Sequence, residues 1–148
     1  MQAHATPVLF YERTYYPFSN FSAFAVWYRG ILHMTSEHAY QASKFLDISL
    51  QMEVIRARSA HDAKEIANAH RDKRRPDWHS VRRPIMKNVC RLKLEQHTVI
   101  RTLLLETGTR DIIEDSPIDS FWGWGHDRKG ENQLGKIWME LRSELQTL

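Results

Sequence analysis

Apolar positions along the chain recur first at strand spacing and then at helix spacing. They predict a few short strands followed by a run of helices. Residues 8–12 read as a short strand, and 25–28 with 31–34 read as a hairpin across Arg29-Gly30, glycine supplying the positive φ of a tight turn. Thr35 or Ser36 then caps a helix over 37–46, and Asp47 or Ser49 begins another through Val54 and Ile55. Ser59 with Asp62 makes a capping-box-like start for a helix over 63–70. Val81, Ile85, Val89 and Leu92 share one helical face, so a long helix covers much of 77–95, with Pro84 kinking it or marking its first turn. A further helix over 98–107 is stopped by Gly108, and 111–114 forms a fourth short strand. Leu134, Trp138, Leu141 and Leu145 line one side of a C-terminal helix, with Asn132 near its start. The predicted fold is α+β and predominantly helical: a single domain over 1–148, with a small antiparallel sheet near the N-terminus packed on a helical bundle.

At 148 residues such a domain can bury a core without covalent staples. Cys90 is the only cysteine, so no internal disulfide forms and a reducing, cytoplasmic location is expected. The N-terminus lacks a basic region followed by an apolar stretch, and no apolar run is long enough to cross a bilayer, so neither a secretion signal nor a membrane partner is expected. The net charge of +3 hides an asymmetry: residues 71–93 carry nine basic side chains against Asp72 and Asp77. A basic zone of this kind attracts phosphate on a nucleotide or a nucleic acid, although a solvated helix face with scattered Arg and Lys reads the same way.

Candidate chemistry lies in three places. Residues 115–135 hold two Trp, four Gly and four acidic residues in a stretch too irregular for a helix or strand. This is either a Trp-anchored loop closing over a core or a pair of flat surfaces for a base, with Asp119 and Asp127 beside them. Glu37, Gln41 and Lys44 share one helical face, either as a solvated stripe or as a catalytic row. Glu37 also stands in the first turn, where the helix dipole favours its ionised form. Upstream, Ser19 and Asn20 lie between Phe18 and Phe21, placed either to satisfy a turn or to read the edge of a base. The eight histidines show no metal-ligand spacing, with His79 and His126 left as possible acid–base groups. No phosphate-binding loop ending in Gly-Lys-Ser/Thr occurs, and Gly123-Trp124-Gly125 is not set in a βαβ unit. No metal and no cofactor are therefore expected.

In order and spacing, these segments resemble the NADAR family of N-glycosidases. The matching stretches are Ser19-Asn20-Phe21; Thr35-Ser36-Glu37-His38 with Gln41 and Lys44; Asp77-Trp78; Met86 with Lys93; Thr107-Gly108; and Asp119-Ser120-Phe121-Trp122-Gly123-Trp124-Gly125, followed by Gly130, Asn132, Leu134-Gly135 and Met139. Ala39, Asn68 and Leu94 depart from the pattern, as packing substitutions do. The resemblance implies cleavage of the bond between ribose C1 and a nitrogen of a base. The substrates it implies are ADP-ribosylated guanine or the ribosylamino-pyrimidine phosphates of riboflavin synthesis, and both carry phosphate. In that reading Glu37, and after it Asp119, manages charge and protons at C1, while Lys44 forms a Schiff base with the opened sugar. Trp78, Trp122 and Trp124, with Gly123 allowing close approach, are candidate walls against the base. Asn20, Asp127 and Asn132, with Ser19, Phe21 and Gln41, would meet the base edge or the ribose. Arg82, Arg83 and Lys93 would meet phosphate. Removal of ADP-ribose from guanine is the first reading, with ADP-ribosylated nucleic acid as a further partner and no obligate protein partner implied. A non-catalytic nucleotide or nucleic-acid binding module is the alternative of another class, since it needs the Trp surfaces and the basic zone but not Glu37 with Lys44.

Overall fold

The computed structural model describes residues 6–147; residues 1–5, on which the expectation about a secretion signal partly rests, and 148 lie outside the described residues. The fold is α+β and mostly helical. Its elements are β1 (Val8–Phe10), β2 (Val26–Tyr28), β3 (Ile31–His33), α1 (Ser36–Ala42), α2 (Ile48–Ile55), α3 (Ala60–Ala69), α4 (Trp78–Gln96), α5 (Thr98–Glu106), β4 (Ile112–Glu114) and α6 (Gln133–Gln146), with a 3-10 turn at Arg13–Phe18. No described helix is long and apolar enough to cross a membrane. The chain divides into two compact units: Asn20–Gln96 forms one, and the residues up to Ser19 with those from His97 onward form the other.

In the Asn20–Gln96 unit, β2 and β3 pair antiparallel, Val26 opposite His33 and Tyr28 opposite Ile31, across a turn in which Arg29 and Gly30 both take positive φ. Three side chains start the next three helices. Thr35 accepts from the amide of His38, Asp47 from those of Ser49 and Leu50, and Ser59 from that of Asp62. Capping of this kind satisfies amides that the helix leaves without partners. Ala42, Phe45, Val54, Ala57, Ala63 and Ala67 close one core between α1, α2 and α3, while Val26, Tyr28, Ala39 and Val89 close another between the hairpin, α1 and α4. Helix α4 begins at Trp78, so Pro84 lies inside it and not in its first turn.

The other unit is built on β1 and β4, which pair parallel with Val8 opposite Ile112. The expected antiparallel sheet is thus the hairpin alone. The remaining two strands come from distant parts of the chain and run in the same direction. Trp138 of α6 is fully buried, with its ring 5.2 Å from that of Phe18 and its indole N–H donating to the Phe18 carbonyl at 3.1 Å. Phe10 meets Phe18 edge-on, and Arg142 ties α6 to the end of α5 through Thr107 Oγ1 at 2.9 Å.

Candidate active site

All seven residues of α1 are buried. This removes the solvated-stripe reading of Glu37, Gln41 and Lys44, because the helix is enclosed by α2, α3, α4 and the hairpin. Glu37 is 6% exposed, and Gln41 Nε2 donates to its Oε2 at 2.8 Å. Desolvation raises the Glu37 carboxyl above the usual carboxylate range, partly countered by the Gln41 hydrogen bond and by the charges of Lys64 and Lys44. Asn20 supports the same spot: its carbonyl accepts from the Glu37 amide at 3.0 Å, its Oδ1 from Ser36 Oγ at 3.1 Å, and its Nδ2 donates to Met86 Sδ at 3.1 Å. The Asn20 side chain also hydrogen-bonds Glu37. These contacts give Asn20 a job that neither expectation named, since its groups hold the first turn of α1 and Met86.

Lys44 lies just past the end of α1, where its amide donates to the Gln41 carbonyl at 3.2 Å. The predicted helix to residue 46 therefore stops at Ala42, and a tighter turn carries the lysine. Its Nζ sits 5.7 Å from the centre of the Tyr40 ring and 5.8 Å from that of Trp78, two rings that pack 5.2 Å apart. Desolvation lowers its ammonium to about 8; Glu37 opposes that shift, while Arg74, Lys64 and Arg71 add to it. A carboxyl pushed up and an amine pushed down beside it form the pairing that acid–base and nucleophilic chemistry near neutral pH requires. Trp78 is 3% exposed, so it walls the lysine and offers no open face to a base.

The Lys44 carbonyl accepts from the Arg75 amide at 2.7 Å, which fastens the 71–75 turn next to the lysine. Arg71 and Arg74, with Lys64 from α3, are thus the cations that bear on this site. Sequence reasoning chose Arg82, Arg83 and Lys93 for phosphate instead. Arg82 and Arg83 are half-buried on α4. Lys93 is a correction: its side chain is fully buried, donates to Ser22 Oγ at 2.9 Å and lies 5.5 Å from the Phe24 ring, so it has no route to a phosphate. Lys64 gave no signal in the sequence beyond its own charge, because only the packing of α3 against α1 brings it here.

Gln41 Oε1 is buried without a hydrogen-bond partner among the described residues. Such an acceptor costs roughly 1–3 kcal/mol and marks a place where a donor is missing. Buried His38 is fully engaged, Nδ1 with Thr35 Oγ1 at 2.8 Å and Nε2 with the Ala57 carbonyl at 3.0 Å. His79 and His126 are exposed.

The remaining candidates, Phe21 apart, belong to the other unit. Asp119 Oδ1 accepts from the amides of Phe121 at 2.9 Å and Trp122 at 2.7 Å, a turn-forming role, and Asp127 accepts from the Lys129 amide in an exposed turn. Asn132 spends both ends of its amide on β4: Oδ1 accepts from Glu114 N and Nδ2 donates to the Ile112 carbonyl, each at 2.9 Å. This corrects its assignment to a base edge. Trp124 Nε1 donates to Asp115 at 2.8 Å, and Trp122 packs edge-on against Phe121, both indoles half-buried. Gly123 is buried where a Cβ would stand 2.8 Å from the Glu114 carbonyl, so its role is close backbone packing. Ser19 and Phe21 are half-buried, and the Ser19 amide closes the 3-10 turn on the Tyr16 carbonyl. Among the described residues no group of acidic, His or Cys side chains could hold a metal ion.

Known proteins resemble this chain along nearly its full length. N-glycosidase YbiA of Escherichia coli K12 is 38% identical over 142 residues, covering 95% of this chain and 89% of its own. A riboflavin biosynthesis protein of Vibrio vulnificus is likewise 38% identical over 95% of this chain, which spans only 39% of that longer protein. The NMR structure of E. coli YbiA matches at a TM-score of 0.89 and 37% identity, over 97% of this chain and 86% of that one. A family model described as the NADAR domain matches residues 9–146, and the chain therefore belongs to the NADAR family.

Proposed function

We propose that this chain hydrolyses the N-glycosyl bond between C1 of a phosphorylated ribose and an exocyclic amine of a base, with ADP-ribosylated guanine as its preferred substrate. The observation that carries the reading is the burial of Glu37 and Lys44 together, which displaces their proton affinities toward each other. Ring opening of the glycosylamine breaks the bond from C1 to the ring oxygen and moves the N–H proton to that oxygen, leaving an imine at C1. The neutral Lys44 amine adds to C1, and the base leaves as a free amine after receiving a proton from Glu37. Water then adds to the C1–Lys44 imine, passing a proton back to Glu37, and releases the sugar aldehyde and the lysine. Gln41 Oε1 is the acceptor for a donor on the substrate, and Lys64, Arg71 and Arg74 supply the positive field for its phosphates. Asp119, with one carboxylate oxygen accepting two amides, ranks below Glu37 for the catalytic role.

A second reading, disposal of ribosylamino-pyrimidine phosphates, is favoured by the similarity to a riboflavin biosynthesis protein. Incubation with each substrate and separation of the products distinguishes the two. Release of ADP-ribose and unmodified guanine is the expected result. Release of ribose phosphate from the pyrimidine alone would transfer the assignment, and tight binding without turnover of either would make the chain a binding module.

A further inference from the structure

Among the described residues Lys93 is the largest charged side chain that is fully buried, and the reaction above makes no use of it. Burial pushes its ammonium down to about 7, and an apolar side chain of similar volume would fill the space without that cost. Its placement suggests what the amine does. Lys93 and Met86 are seven residues apart on α4 and both buried. They hold two points of one segment: Lys93 Nζ donates to Ser22 Oγ at 2.9 Å, and Met86 Sδ accepts from Asn20 Nδ2 at 3.1 Å. That segment makes no regular secondary structure of its own. Asn20 in turn accepts from the Glu37 amide and, through its carbonyl and Oδ1, from the hydroxyl of Ser36 in the same first turn. Its side chain also hydrogen-bonds the Glu37 carboxyl.

We infer that Lys93 is a positioning residue for catalysis: by clamping Ser22 it fixes the Asn20–Ser22 segment, and through Asn20 it fixes the direction in which Glu37 presents its carboxyl. The inference rests on the reading of Glu37 as the proton-managing group. Ser22 is the intermediary, so a change at either end of the Lys93–Ser22 contact has the same consequence. Lys93 touches no reacting atom, and its effect passes wholly through Glu37.

The test compares Lys93→Met and Ser22→Ala, each in the parent protein and in the Glu37→Gln background. In the parent, each variant lowers kcat by ~10- to 100-fold while KM stays within about twofold, the size of effect that a small misplacement of a reacting group produces. In the Glu37→Gln background neither change lowers kcat further, which a general loss of stability would not reproduce. Amide hydrogen exchange at Glu37 accelerates relative to Ala39, a readout that needs no substrate. Unchanged kcat in Ser22→Ala, or an equal loss in both backgrounds, overturns the inference. Ser22→Ala decides the question should Lys93→Met not fold. Parent-like activity of Glu37→Gln alone would count against the catalytic reading of Glu37, and the exchange rate at its amide would still report whether Lys93 positions it.

Discussion

A carboxyl group enclosed as Glu37 is resists ionisation, and that sets opposite expectations for activity and stability. Its folded pKa lies above the ordinary 4.5, so the stability associated with this group is fully present below about 4.5 and is lost as pH rises through the folded value. Glu37→Gln removes that loss. It is expected to melt at the same or a higher temperature than the parent near neutral pH, with the difference vanishing in acid. Hydrolysis falls by ~10²–10³, the loss seen when a charge-stabilising group is removed from an active site. Parent-like turnover, or a lower melting temperature at neutral pH, would count against this. Lys44 follows the reverse logic for a base. Its folded value is lowered from 10.5 to about 8, so between those values the unfolded chain binds the extra proton, and stability rises with pH across that window. The neutral amine needed for an imine accumulates as pH rises through about 8. Borohydride trapping, read by mass spectrometry, should give a sugar adduct on Lys44 that climbs to a plateau above about pH 8 and is absent from Lys44→Met. A flat profile or an adduct elsewhere would remove Lys44 from the chemistry.

At the scale of elements, the three side-chain caps were legible in the sequence and the end of α1 was not. Thr35, Asp47 and Ser59 cap as their side chains predict, because a cap is a contact between near neighbours. The end of α1 depends on distant groups: Ser43 Oγ lies 3.2 Å from the Tyr28 hydroxyl, and the Lys44 carbonyl takes the Arg75 amide. The parallel pairing of β1 with β4 was equally out of reach, since neither strand carries a mark of its partner. Among the glycines of 115–135, Gly123 stands where a Cβ would meet the Glu114 carbonyl, a long-range contact that spacing does not show. Gly135 is the sharpest case. A methyl there would run into the Ile112 carbonyl and the Asn132 amide, and that amide is itself held by two hydrogen bonds. Gly135→Ala is expected to lose about 1–3 kcal/mol in urea unfolding, the usual cost of overpacking against groups that cannot yield. An unchanged midpoint would show that the start of α6 can shift.

For the molecule as a whole, the relevant property is how charge is distributed. The net charge is +3, yet residues 71–93 hold nine of the 21 basic side chains. Of these, Arg71 and Arg74 act on Lys44, whereas Arg75 is committed to Asp77 at 2.6 Å and Lys93 to the interior. If the substrate is an ADP-ribosylated oligonucleotide, kcat/KM falls steeply as salt rises, because each phosphate contact releases counterions. A mononucleotide substrate shows a shallower slope. Equal slopes for the two would mean that no phosphate beyond the ADP-ribose is contacted.

The order of residues by itself determined the strand and helix pattern, the hairpin turn at Arg29-Gly30 and the three caps, and it offered a set of candidate side chains for the site. All of these depend on contacts within a few residues. The tertiary structure decided which of those side chains are enclosed. It turned Glu37, Gln41 and Lys44 from a helical stripe into a desolvated pair with an orphaned acceptor, brought Lys64, Arg71 and Arg74 beside them, and took Lys93 out of reach of any phosphate. Proton affinity depends on desolvation and on charges several ångströms away. These are sums over neighbours from α1, α3, α4 and the 71–75 turn, and residue spacing along the chain carries no record of them.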